Sequence, residues 1–247
     1  MKKILLICSV FCLLCQVGFS AEIYWYLAAA MSKPGKEIVE KYNQQNKNSK
    51  VYLILGGSCA LLSRITVSGK GDLYTPGSEY FLDKAEKLGI VKNSRQLLIQ
   101  KPVIGLSASG IKKIHNFDDL IKTGIKIAFG NQKLTVLGKA FLKMKDRMDA
   151  EFARRLEKNK VVEGINANQN ANYILSDTVD ASFIFDTVAK ANKIRYIEIP
   201  EKFNVLSKAY MILLNNSKNI KETGKFTDFI FKQNDIFKKY GYSLIGK

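Results

Sequence analysis

The stretch Val51 to Thr66, VYLILGGSCALLSRIT, constrains this chain more than any other. A β-rich apolar run, Val51 to Leu55, stops at Gly56-Gly57. Ser58 follows, then an amphipathic pattern with Leu61, Leu62 and Ile65 on one side. The order reads as strand, tight turn and helix, with Ser58 at the helix N-cap. Two glycines let backbone approach a ligand without Cβ interference. A helix start presents unpaired N–H groups and the positive end of its dipole. Taken alone, the stretch fits a capped βα turn as well as an anion cradle. It lacks the spacing of either nucleotide-binding glycine loop.

The same strand–helix alternation runs through the chain. Strands are expected at Glu22–Leu27, Val51–Leu55, Asp72–Tyr74, Leu97–Leu106, Ile125–Phe129, Lys160–Glu163, Ala181–Phe185, Ile194–Ile199 and Val205–Leu214. Helices are expected between them and at the end, around Phe226–Phe231 and Ile236–Tyr240. The helix read over Asn166 to Leu175 is notably polar (NANQNANYIL). Pro102 is expected at a strand edge or a crossover. This pattern predicts an α/β fold with mostly parallel sheets covered on both faces.

Residues 1–20 read as a secretory leader. Lys2-Lys3 precede an apolar run, Ile4 to Leu14, too short to span a bilayer as a mature helix. Gly18-Phe19-Ser20 supplies small residues for cleavage after Ser20. A periplasmic location follows, with lipoprotein anchoring at Cys15 the lesser alternative, since Leu14 is bulky there. Three of the four cysteines, Cys8, Cys12 and Cys15, would leave with the leader, so Cys59 has no intrachain disulfide partner. The single histidine, His115, excludes a multi-histidine metal site. The formal charge is +17, and loss of the two leader lysines takes 17 to 15. The lysines are scattered rather than clustered and arginine is sparse. That describes a basic solvated surface, not a nucleic-acid footprint. No catalytic constellation emerges from the spacing, so no enzyme activity, cofactor or metal is expected.

Several stretches then converge on one family. They are Ala28-Ala29-Ala30 after the first strand, Gly56-Gly57-Ser58-Cys59-Ala60-Leu61, Gly71-Asp72-Leu73-Tyr74, Glu86 to Val91, Ile125 to Gly130, Asn166, Asp180-Ala181 and Lys239 to Tyr242. The chain resembles the periplasmic molybdate-binding proteins of ABC transporters, within the two-lobed solute-binding class. The resemblance covers nearly all of the sequence beyond the leader. It implies two lobes, each a mixed, mostly parallel sheet flanked by helices, joined by a hinge the chain crosses twice. Lobe one would be 21–103 with 206–247, and lobe two 104–205. It also implies a small anionic ligand in the interlobe cleft, a membrane permease as partner, and a monomer.

The resemblance assigns the ligand contacts to Ala30, Met31, Ser32, Ser58, Cys59, Val136, Leu137, Phe185 and Asp186. It breaks at three of these positions, with two donors lost and a carboxylate added. Met31 stands where the family has a serine, with Ser32 one place later. Phe185 stands where it has a tyrosine, and Asp186 follows in place of a small neutral residue. Loss of a buried donor typically costs roughly 1–3 kcal/mol, so molybdate should bind weakly or another anion better. Three alternatives stay open. One is an organic or phosphorylated acid, with an inward Asp186 favouring a ligand that carries a proton. Another is a soft metal cation on Met31, Cys59 and Asp186. The third is a surface adhesin on a transport fold.

Overall fold

The computed structural model describes residues 21–245, so the leader and cleavage site read from the sequence lie outside the described residues. Two five-stranded sheets organise the chain. The first holds β1 (Ala21–Ala28), β2 (Ser49–Gly56), β3 (Leu73–Thr75), β4 (Val91–Gln100) and β10 (Ser207–Leu214), in the order β2-β1-β3-β10-β4. The second holds β5 (Pro102–Leu106), β6 (Ile127–Gly130), β7 (Lys160–Gly164), β8 (Ala181–Phe185) and β9 (Tyr196–Glu198), in the order β7-β6-β8-β5-β9. In each sheet one strand, β10 or β5, runs against the others.

The helices are α1 (Ser32–Gln45), α2 (Ser58–Ser68), α3 (Glu79–Lys87), α4 (Val136–Lys145), α5 (Ala150–Lys158), α6 (Ala167–Leu175), α7 (Asp186–Ala191), α8 (Ile220–Phe231) and α9 (Asn234–Lys239). They cover both sheets, as the strand–helix alternation predicts. One apolar cluster lies under α1, α8 and α9, where Trp25, Tyr42 and Phe226 meet edge to face. A second fills sheet two around Phe129, Phe141 and Phe183. A third runs from sheet one to sheet two and includes Tyr74, Val136, Leu137 and Phe185.

The segment read as one strand, Leu97 to Leu106, is two strands in different sheets. β4 ends at Gln100 and β5 begins at Pro102. Proline donates no ladder hydrogen bond, and the first residue of a strand tolerates that. Lys101 makes the passage, braced by Asp186, whose N–H donates to the Lys101 carbonyl at 2.9 Å. Lys101 Nζ also meets Glu198 at 2.8 Å. The chain returns between β9 and β10, where Asn204 Nδ2 donates to the Pro102 carbonyl at 2.9 Å. Asp72 orients the loops beside β3. Its carboxylate accepts from Tyr24 N at 2.8 Å and from Ser217 Oγ at 2.6 Å.

Candidate functional site

The parallel strands of both sheets end at one cavity, the position where open α/β sheets hold their ligands. On the sheet-one side the wall is the 3₁₀ turn after β1, the β2–α2 turn and Gly77. Gly57, not Ser58, is the N-cap of α2, and no side chain caps that helix. The expected Ser58 cap is therefore corrected. Its hydroxyl is turned sideways and accepts from Gly77 N at 3.1 Å. Among the described residues nothing accepts the Ser58 proton, so it can be donated into the cavity. Tyr74 Oη, wholly buried, donates to the Ser58 carbonyl at 2.8 Å and fixes the turn. Burial holds the Tyr74 phenol well above its ordinary pKa, so it stays a donor.

Sheet two supplies two more helix starts. Thr135 caps α4 by accepting from Gly138 N at 2.9 Å, and its own hydroxyl donates to the Asn131 carbonyl at 2.9 Å. The turn is tight, since a Cβ on Gly138 would lie 2.2 Å from the Asn131 oxygen. The cap takes the third amide, and Val136 and Leu137, with the first two, line the cavity. Asn166 caps α6 in the same way, accepting from Gln169 N at 3.0 Å. Ala167, at the start of that helix, lines the cavity, as do Gly130, Ile165, Asn170 and Phe185. The cavity is small, about 30 Å³. No lining residue is charged. Anion binding there would rest on amides, one hydroxyl and three helix dipoles.

Of the nine residues assigned from the sequence, Ala30, Ser58, Val136, Leu137 and Phe185 line this cavity. The other four do not. Met31 is buried in the sheet-one core with Trp25, Ile38 and Phe237. The 3₁₀ turn Ala29–Met31 causes this, since it buries its first and third residues and leaves Ala30 at the opening. Ser32 lies outside, accepting from Asn168 Nδ2 at 3.2 Å across the cleft. Cys59 is one helical step, about 100°, round from Ser58. It lines an outer depression with Leu62, Ser63 and Thr66. Asp186 turns away to Lys190 at 2.9 Å. Met31, Cys59 and Asp186 therefore form no metal set. Among the described residues no group of three His, Cys, Asp or Glu side chains is placed to hold a metal.

Thr135, Asn166 and Asn170 were absent from the assigned set. The sequence did carry a signal for the asparagines, the unusually polar helix that opens at β7's end.

The family of bacterial extracellular solute-binding proteins matches residues 23–243. The chain belongs to that family. This solute-binding protein is 29% identical over 231 residues to a Haemophilus influenzae protein named for binding alone, covering 93% of this chain and 92% of that one. Its fold is shared with the sulfate-binding protein SubI from Mycobacterium tuberculosis, at TM-score 0.80 and 14% identity over 90% of this chain and 86% of that one. The periplasmic molybdate-binding protein of Azotobacter vinelandii gives TM-score 0.76 and 15% identity, covering 91% of this chain and 100% of that one. Peb3 from Campylobacter jejuni, with L-phospholactate bound, gives 0.72 and 19%, covering 90% and 99%. The two-lobed solute-binding fold expected from the sequence is the fold observed. The neighbours' ligands differ, so the fold does not fix this chain's ligand.

Proposed function

We propose that this solute-binding protein takes one small oxyanion into the cavity between its two sheets. After closing, it delivers the ion to the membrane permease of an ABC transporter in the periplasm. The observation that carries this reading is the convergence of three helix starts, α2 from one sheet and α4 and α6 from the other, on a small uncharged cavity. Neutral amides replace a hydration shell, and aligned dipoles offset the charge without any counter-ion. The scattered lysines lie outside the cavity and raise the encounter rate with anions. The two lobes are the sheets with their helices, and the hinge is the pair of chain passages near Lys101 and Asn204. The leader is removed on export, and the chain works as a monomer.

A second reading has one observation behind it. A polar depression lined by Ser32, Lys33, Asn168, Asn172, Asn192 and Tyr242 shares Ala30 with the cavity. A phosphorylated acid could place its oxyanion head in the cavity and its remainder there.

Calorimetry on the purified chain tests both, with inorganic anions in one arm and phosphorylated acids in the other. Ser58→Ala removes the hydroxyl donor and the acceptor of Gly77 N. It should weaken anion binding about tenfold or more, on the roughly 1–3 kcal/mol cost of a lost buried partner. Tight anion binding unchanged by Ser58→Ala would sink the proposed site.

A further inference from the structure

The Ser58 hydroxyl is aimed by a backbone group, and that group is held in turn by a side chain outside the cavity. Gly77 sits in the short connection between β3, which ends at Thr75, and α3, which starts at Glu79. Its N–H donates to Ser58 Oγ at 3.1 Å, and its carbonyl accepts from Gln100 Nε2 at 3.3 Å. The two bonds act on the two peptide planes that flank the Gly77 Cα. Glycine has the widest choice of backbone conformation, so it is the residue that most needs both planes held. The orientation of the Gln100 amide follows from its partner, because a flip would set oxygen against oxygen. The connection also leaves from a tied strand end, where Trp25 Nε1 donates to Thr75 Oγ1 at 2.8 Å.

Gln100 is wholly buried and is the last residue of β4, just before the passage at Lys101. Across the sheet it pairs with Ser207, the first residue of β10, where the chain returns. It does not line the cavity. A Cβ at Gly77 would stand 3.4 Å from Gln100 Nε2 and 3.3 Å from Val136 Cγ2, so the turn is packed between the end of β4 and the facing wall. An amide at this depth is costly to desolvate, and an apolar side chain would fill the end of β4 without that cost. Its bond to Gly77 gives the amide a reason to be there. Resting on the oxyanion reading above, we infer that Gln100 is a positioning residue for the anion. Acting through Gly77, it holds the Ser58 oxygen so that the hydroxyl proton is left for the ligand. Ser58, Gly77 and Gln100 all belong to the sheet-one side. The donor is therefore set before the two walls meet, and a preorganised donor spares binding the cost of ordering it.

The experiment is a double-mutant cycle of Gln100→Met and Ser58→Ala, read by calorimetry with molybdate, sulfate and phosphate on the purified chain. Methionine keeps the length of the side chain and removes the donor. For whichever anion the wild type binds most tightly, Gln100→Met should weaken binding about five- to tenfold. In the Ser58→Ala background the same substitution should change affinity by no more than about twofold, because no hydroxyl remains to be aimed. A merely structural role for Gln100 gives the same loss in both backgrounds. Equal losses therefore overturn the inference, as does a Gln100→Met chain that binds like wild type. Should Gln100→Met fail to fold, hydrogen exchange on the wild type decides. The Gly77 amide should exchange slowly without any anion present, and rapid exchange there overturns the inference. Binding of none of the three anions by the wild type overturns the oxyanion reading and this role with it, whereas tight binding with equal losses overturns this role alone.

Discussion

At the scale of single residues, the site is set by which way each side chain turns, and Met31 shows how little of that is visible in a sequence. Its position one place before Ser32 resembles a ligand serine's, yet the 3₁₀ turn buries it against Trp25, Phe237 and Tyr242. Met31→Ser should therefore not strengthen anion binding. It should destabilise the fold by about 2–4 kcal/mol, the cost of deleting a buried side chain of this size. A denaturation midpoint and an anion titration on the same sample check this, and improved binding at full stability would contradict it. Ser58 was legible through the resemblance, since the Gly-Gly-Ser turn by itself reads equally as a capped βα turn, and the cap it suggested falls on Gly57 instead. Gln100 was not, because nothing in a sequence shows that the side chain ending β4 reaches the turn at Gly77.

At the scale of elements, strand and helix order followed from periodicity, and the misses have physical causes. β4 begins with VKNSRQ, an edge strand exposed along most of that length, so hydrophobic alternation gave no sign of its first half. Charged residues on such an edge discourage pairing with other chains. The break between β4 and β5 was also hidden, since a sequence does not say that consecutive strand residues join different sheets.

The short 3₁₀ element Phe117–Ile121 shows a well-marked start. Asn116 Oδ1 accepts from Asp119 N at 3.2 Å, and the Asp119 carboxylate accepts from the N–H groups of His115 and Asn116 at 2.7 and 3.3 Å. The Lys122 ammonium, first, and these amides, second, lower the Asp119 pKa from 3.8 to about 2. A carboxylate with a lowered folded pKa adds stability above its unfolded pKa, and that part is lost as pH falls toward about 2. Asp119→Asn should therefore be less stable than wild type at pH 7, with a smaller difference near pH 2.5. Urea midpoints at the two pH values measure it, and an equal gap at both would count against the pairing.

At the scale of the whole molecule, the decisive contact is where the two walls meet. Gly57 lies at the end of sheet one, and a Cβ there would stand 2.7 Å from the Ile165 carbonyl oxygen on the sheet-two side. That neighbour is backbone, so it cannot swing aside as a long side chain would. Around this point Asn168 reaches Ser32, and the Lys33 ammonium donates to the Ala191 carbonyl, so the cleft is also held at its rim. Gly57 itself has φ −68° and ψ 143°, a conformation open to any residue. Alanine at 57 is thus compatible with the β2–α2 turn itself and conflicts only with the facing wall at Ile165. Its direct stability effect should stay within about 1 kcal/mol, the scale of exchanging an N-cap residue. Closure is where the change should be felt. If the binding-competent state is the closed one, apparent affinity falls by the fraction of molecules still able to close. Small-angle scattering should show the wild type compacting on saturation with anion, while Gly57→Ala stays open at the same concentration and binds at least tenfold more weakly. A Gly57→Ala chain that compacts and binds like wild type would mean that the walls do not need this contact, and the cavity would then not be the product of closure.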